Sequence, residues 1–253
     1  MTGQDDPPSG FVSPGTPDDS RLRHVLHRVL LHRARRAPLR RRATIDQPHP
    51  LIAARVASML HGLLGAEAAP VLAELPHRVV IVTPDNFGAE TAAVSLEDAW
   101  TLANIVLDDL GAPPLADDVP ALDGLIAQGR AWIPEGALGA PTTSIDVVVH
   151  EVAHLLHDLR RAEVGLNPPQ QMVIEVCPAQ RETFAYACEM WACIERATAP
   201  GAARRELAAL CCAEHVPADH RVDVPCLRRT LLSASSTSES GWSSIRRLGL
   251  VPS

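Results

Sequence analysis

The chain has 253 residues, 46% hydrophobic and only 3% aromatic, enough for one medium domain with a core of Ala, Leu and Val, a composition that favours helix. Its net charge of −7 hides a division: residues 1–20 carry four acids and no base, residues 21–42 carry nine Arg and no acid, and Lys is absent throughout. The N-terminus lacks the basic-then-apolar pattern of a signal peptide, and no apolar run approaches the ~20 residues of a transmembrane helix, so the exported and membrane-spanning classes are set aside and the cytoplasm is the expected location.

Residues 1–20, rich in Pro, Gly, Ser and Asp, read as disordered. In the basic arm that follows, Leu22, Val25, Leu26, Val29 and Leu30 recur at helical spacing with Arg and His opposite. Such a helix packs its apolar stripe on the domain or offers Arg21–Arg42 to an acidic partner, acidic lipid headgroups or nucleic acid. With no aromatic in the segment, stacking on single-stranded bases has no platform. The main domain is expected over 46–232, after an arm ending near 45 and before a Ser-rich tail at 233–253 whose first part, 233–240, is expected to be mobile.

Pro50–Leu64 reads as a helix stopped by Gly65, and 77–83 as a strand, with Val79, Val80, Ile81 and Val82 ahead of a Pro-Asp-Asn turn. Ser95 begins a helix to about Leu110 with a capping-box-like S-x-x-D. Residues 121–128 read as a short helix and 129–134 as a strand whose Pro134 suits a sheet edge, where an extended peptide could pair. The fold class expected is α+β, mostly helical with a small sheet. The six cysteines contain no C-x-x-C pair and are expected as free buried thiols.

A helix over about 142–162, capped by Thr143 or Ser144, carries His150-Glu151-Val152-Ala153-His154. Residues four apart on a helix lie about 40° apart around its axis and about 6 Å along it, so His150 and His154 can turn one imidazole each to a single ion. Glu151 lies where its carboxylate reaches a water on that ion. The flanking residues are apolar, and two imidazoles with a carboxylate on a buried segment are costly without a partner. Zn2+ is the expected cofactor.

Two histidines need a third protein ligand. Position 160, where the metzincin pattern has a His, is Arg160, and His157, swung about 60° from His154, reads as a neighbour of the ligands or a solvent-facing residue. The helix at about 180–196 carries Glu182 and Glu189 on one face, seven residues apart. These residues resemble the gluzincins, zincins with H-E-x-x-H on one helix and a Glu ligand on the next. The stretch from Glu182 to Ala187 looks like the second helix of small bacterial metallopeptidases that cleave regulatory proteins. The resemblance covers about 141–196, and Tyr186 stands where gluzincins carry an Asp. It implies Glu182 as third ligand, with Glu189 and then Glu175 as alternatives. It also implies a zinc metallopeptidase acting on a peptide or protein, with Glu151 as general base. Tyr186, His215 and His220 are the candidate donors to the oxyanion. Other readings are a non-peptidase zinc hydrolase of specialised metabolism and a non-enzymatic interaction protein working through its basic arm.

Overall fold

The computed structural model describes residues 17–37, 48–117, 119, 122–139, 145–163, 178–237 and 241–249. Helices α1 (Pro17–Ala34), α2 (Pro48–Leu64) and α3 (Ala68–Glu74) lead into strand β1 (Val79–Val82). The short α4 (Phe87–Glu90) and longer α5 (Leu96–Asp109) precede β2 (Leu125–Ala127) and β3 (Arg130–Pro134). Then come α6 (Val147–Glu163), α7 (Pro178–Ala197), α8 (Ala202–Glu214), α9 (Val224–Ser236) and α10 (Trp242–Gly249). The chain is mostly helical with a small mixed sheet, an α+β fold.

The strand order is β1-β3-β2, with β1 parallel to β3 and β2 antiparallel to it. The strand at 130–134 is therefore central and not the edge. Pro134 is tolerated because it ends the strand, beyond the last β2 pairing at Trp132. The helix expected over 121–128 is also overturned, because 125–127 form β2. Gln128 and Gly129 both take left-handed backbone (φ 52 and 69), a two-residue turn whose twist suits a hairpin.

Alternation along the strands gives each sheet face its own core. Val79, Ala131 and Ile133 join α2, α6 and α7 in the larger cluster, while Val82 and Trp132 join Leu30, Phe87 and α5 in the smaller one. The site helix α6 thus lies against one sheet face with α2 and α7 packed around it. The stretch 48–78 is long and apolar enough by length and composition to cross a membrane, a test that a core helix also passes. Its Ile52, Val56, Met59, Leu60 and Leu63 are wholly buried in the larger cluster, and Gly65 (φ 60) ends α2 as expected.

The basic arm is partly docked. The Arg23 guanidinium donates to the Thr91 and Val94 carbonyls at 2.7 and 2.6 Å, Arg33 donates to the Pro113 and Pro114 carbonyls, and Leu30 is fully buried. Leu22 and Val25 stay on the outer face with Arg21 and Arg28. Residues 1–16 and Arg40–Arg42 lie outside the described residues. The mobility expected over 233–240 is corrected for 233–236, where α9 continues and buries Ala234 and Ser235, and the tail beyond holds a further helix at 242–249. There α10 buries Trp242 and Ile245, and Trp242 Nε1 donates to Glu195 at 2.9 Å. Trp242 packs so closely on α2 that any side chain at Gly62 would collide with it. Cys188, Cys193, Cys211, Cys212 and Cys226 are free, and Cys177 lies outside the described residues.

Candidate metal centre

Helix α6 starts at Val147, later than the expected 142, and its cap is Asp146, whose carboxylate accepts the Val149 N–H at 3.3 Å. Thr143 and Ser144 lie outside the described residues. Val148, Val149, Val152, Ala153, Leu155 and Leu156 are buried in the larger cluster, which fixes the rotation of the helix. That rotation turns His150, Glu151 and His154 toward α7, where Glu182, Tyr186 and Glu189 repeat at i, i+4 and i+7 on the facing side.

His154 Nε2 lies 3.2 Å from His150 Nε2 and 3.3 Å from Glu182 Oε2, and His150 Nε2 lies 3.8 Å from the same oxygen. Two donors each about 2.0–2.1 Å from a zinc ion at a tetrahedral angle stand about 3.3 Å apart, so two of the three spacings match that geometry and the third is somewhat wide. His150, His154 and Glu182 could hold a metal ion.

Glu189, the second candidate for third ligand, instead addresses the other nitrogen of His150. Its Oε2 lies 3.0 Å from His150 Nδ1, and its Oε1 accepts the Asp146 N–H at 2.8 Å. With Nδ1–H donated to Glu189, a neutral His150 leaves its Nε2 lone pair facing His154 and Glu182, the tautomer a metal requires. Asp146 is itself buried between Arg55 (3.5 Å) and Arg196 (2.7 Å), and Arg55 also donates to the Ala137 and Leu138 carbonyls at 2.9 and 2.8 Å. His154 Nδ1 is buried with no hydrogen-bond partner among the described residues.

Burial and the surrounding charges shift the two imidazoles in opposite directions. Burial pushes His150 down, but its hydrogen bond to Glu189 and the charges of Glu189, Glu151 and Glu182 outweigh that and raise it to about 9. Burial lowers His154 to about 4, despite its bond to Glu182, with the His150 charge adding to the fall. A divalent cation held there would need both Nε2 lone pairs and so would displace a proton from either ring nitrogen. Burial pulls Glu182 up, yet His154, Arg221 and His150 hold it below its ordinary value. Burial raises Glu151 to about 7, with His150 pulling it down and Glu182 pushing it up.

No family model matches the chain, and no curated protein or solved structure does. The site is read from its own geometry.

Tyr186 lies beside the three donors, its ring edge-on to His150 with 4.6 Å between centroids, and burial raises its hydroxyl well above the usual tyrosine value. His157 is buried against Phe184, ring centroids 5.5 Å apart, and does not join the three. Neither His215 nor His220 is tied to the three by a hydrogen bond or ion pair among the described residues, and both are exposed. Glu175 lies outside the described residues.

Two features escape the sequence reading. A Cβ at Gly124 would fall 2.7 Å from the Glu151 carboxyl, so the main chain entering β2 passes directly over that carboxylate. Arg221, in the chain between α8 and α9, reaches Glu182 Oε1 at 3.2 Å. An isolated Gly and a loop Arg carry no local signal of such contacts. A cleft of about 470 Å³ is lined by Ile105, Asp108, Leu122, Asp123, Pro134 and Val147, and not by the three donors or Glu151. Burial and the neighbouring Glu189 raise the Asp123 carboxyl.

Proposed function

We propose that this chain is a zinc-dependent metallopeptidase, with His150, His154 and Glu182 as ligands and Glu151 as general base. The observation that carries the reading is the meeting of two imidazole Nε2 atoms and one carboxylate oxygen from α6 and α7 beside a second, buried carboxylate. Imidazole and carboxylate donors suit zinc, and three protein ligands leave a position open, as in catalytic sites.

Zinc, when bound, supplies positive charge that acidifies a water and polarises the substrate carbonyl. Glu151 takes the water's proton as the oxygen attacks the carbonyl carbon, then gives it to the amine nitrogen as the C–N bond breaks. The main chain at Gly124, pressed over the Glu151 carboxyl, restricts where that carboxylate can point. Glu189 keeps His150 oriented by accepting from Nδ1. Tyr186, kept protonated by burial, is the nearest candidate donor to the oxyanion.

Elemental analysis of the purified chain should find one zinc per molecule. Glu151→Gln should retain that zinc and lose cleavage of a peptide library by about 10²-fold or more. A Glu151→Gln variant that cleaves at the wild-type rate would sink the mechanism. The docking of α1 through Arg23 and Arg33 supports a structural role for that helix over an arm built solely for binding.

A further inference from the structure

The chain at 215–223, between α8 and α9, is tied to α7 beside the third ligand. The Asp223 N–H donates to Thr183 Oγ1 at 2.9 Å, and Thr183 follows Glu182 in sequence. The Asp223 carboxylate then caps α9 by accepting the Cys226 N–H at 2.9 Å. Within the loop, Asp219 accepts the Arg221 backbone N–H at 2.8 Å. It also grips one edge of the guanidinium: Nε lies 3.0 and 3.1 Å from its two oxygens, and Nη2 2.6 Å from Oδ2. That leaves Nη1 free to meet Glu182 Oε1 at 3.2 Å, while Glu182 Oε2 faces the two histidines.

We infer that Arg221, clamped by Asp219, is a positioning residue for the third metal ligand. The inference rests on His150, His154 and Glu182 holding zinc. The terminal torsion of a glutamate is broad, so an unrestrained Glu182 would sample orientations that present either oxygen or neither. Arg221 occupies Oε1 and thereby assigns Oε2 to the metal. A lone guanidinium so close to the site would repel a cation, and Asp219 cancels that charge while fixing the fork's direction. Lys at this position would keep the charge but could not span Asp219 and Glu182 with one rigid fork.

The plain alternative is an ion pair on the rim of the site, since the Arg221 side chain is 42% exposed and exposed pairs contribute little. Zinc affinity, measured by chelator competition on the full chain, separates the two. Arg221→Ala should weaken zinc by about 10–100-fold, the range for loss of a group that orients a ligand. Arg221→Lys should fall between that and wild type, and Asp219→Asn should also weaken zinc. The cobalt-substituted protein should show an altered visible spectrum in Arg221→Ala. In a Glu182→Gln background, Arg221→Ala should change affinity by less than about 2-fold, because the coupling runs through the carboxylate.

Unchanged zinc affinity and cobalt spectrum in Arg221→Ala would overturn the inference while leaving the metal reading intact. That holds whether the variant cleaves normally, loses cleavage because Arg221 touches substrate, or only melts at a lower temperature. Wild-type protein that binds no zinc would overturn both. Arg221 is exposed enough that its removal leaves no buried cavity, and circular dichroism of each variant checks the fold.

Discussion

The two carboxylates of α7 that serve the site are held in opposite ways. Glu189 works from the buried side: one oxygen meets His150 and the other the Asp146 N–H, and Asp146 lies between Arg55 and Arg196. Glu182 works from the open side, held by an Arg in a loop. The buried half is tied to α2, the start of α6 and the end of α7, so it cannot be loosened without disturbing the core. The loop half can change with little cost to the fold. Orientation of His150 is thus coupled to stability, whereas orientation of Glu182 is nearly independent of it.

The largest expected effect lies in the buried half. Asp146→Ala removes the cap of α6 and leaves Arg55 without its carboxylate, so unfolding in urea should show a loss of about 3 kcal/mol or more. A loss below about 1 kcal/mol would mean the two halves do not differ. Metal removal comes next. With free zinc at about 100 times its Kd, bound metal contributes about 2.7 kcal/mol. Chelation should lower the melting temperature while leaving helical circular dichroism in place, because neither core cluster includes His150, His154 or Glu182.

Glu189→Gln sharpens the comparison. The amide replaces one of the two acceptor oxygens by an NH2, which then faces either the Asp146 N–H or His150 Nδ1–H donor to donor. Zinc affinity should fall by about 10–100-fold together with a loss of stability, whereas the loop variants should lose affinity alone. Gly124→Ala presses a methyl on the Glu151 carboxyl. It should lower kcat by about tenfold, about 1.4 kcal/mol of barrier, with zinc content unchanged. The smallest effect belongs to the outer face of α1, where Leu22→Ser should shift stability by no more than about 0.5 kcal/mol.

What the sequence makes legible is what is local. The apolar flanks of His150 and His154 locate α6, Ser95 caps α5 by accepting the Asp98 N–H at 2.9 Å, and the seven-residue spacing puts Glu182 and Glu189 on one face. The division of labour between those two carboxylates depends on which histidine nitrogen each meets, which spacing does not encode. Strand β2 is missed because Leu122, Leu125 and Ile126 also fit a helical stripe, and its turn places Gln128, a residue with no marked turn preference, in left-handed backbone. Helix α10 is hidden behind a Ser-rich stretch, although Trp242 and Ile245 are apolar residues spaced to share a helix face. Gly124 and Arg221 act across many residues of sequence, where no periodicity reaches.

The buried Asp146 cluster also has a thermal consequence. Hydration of charged groups becomes less favourable on warming, so the desolvation cost of holding Asp146 between Arg55 and Arg196 shrinks as temperature rises. The loop gains less relief than the Arg55 pair, because the Arg221 side chain is 42% exposed against 9% for Arg55. As the protein is heated, the His150 side of the site should therefore keep its geometry longer than the Glu182 side. The temperature at which the metal escapes would then be set by a surface loop, several degrees before the helices that carry the histidines come apart.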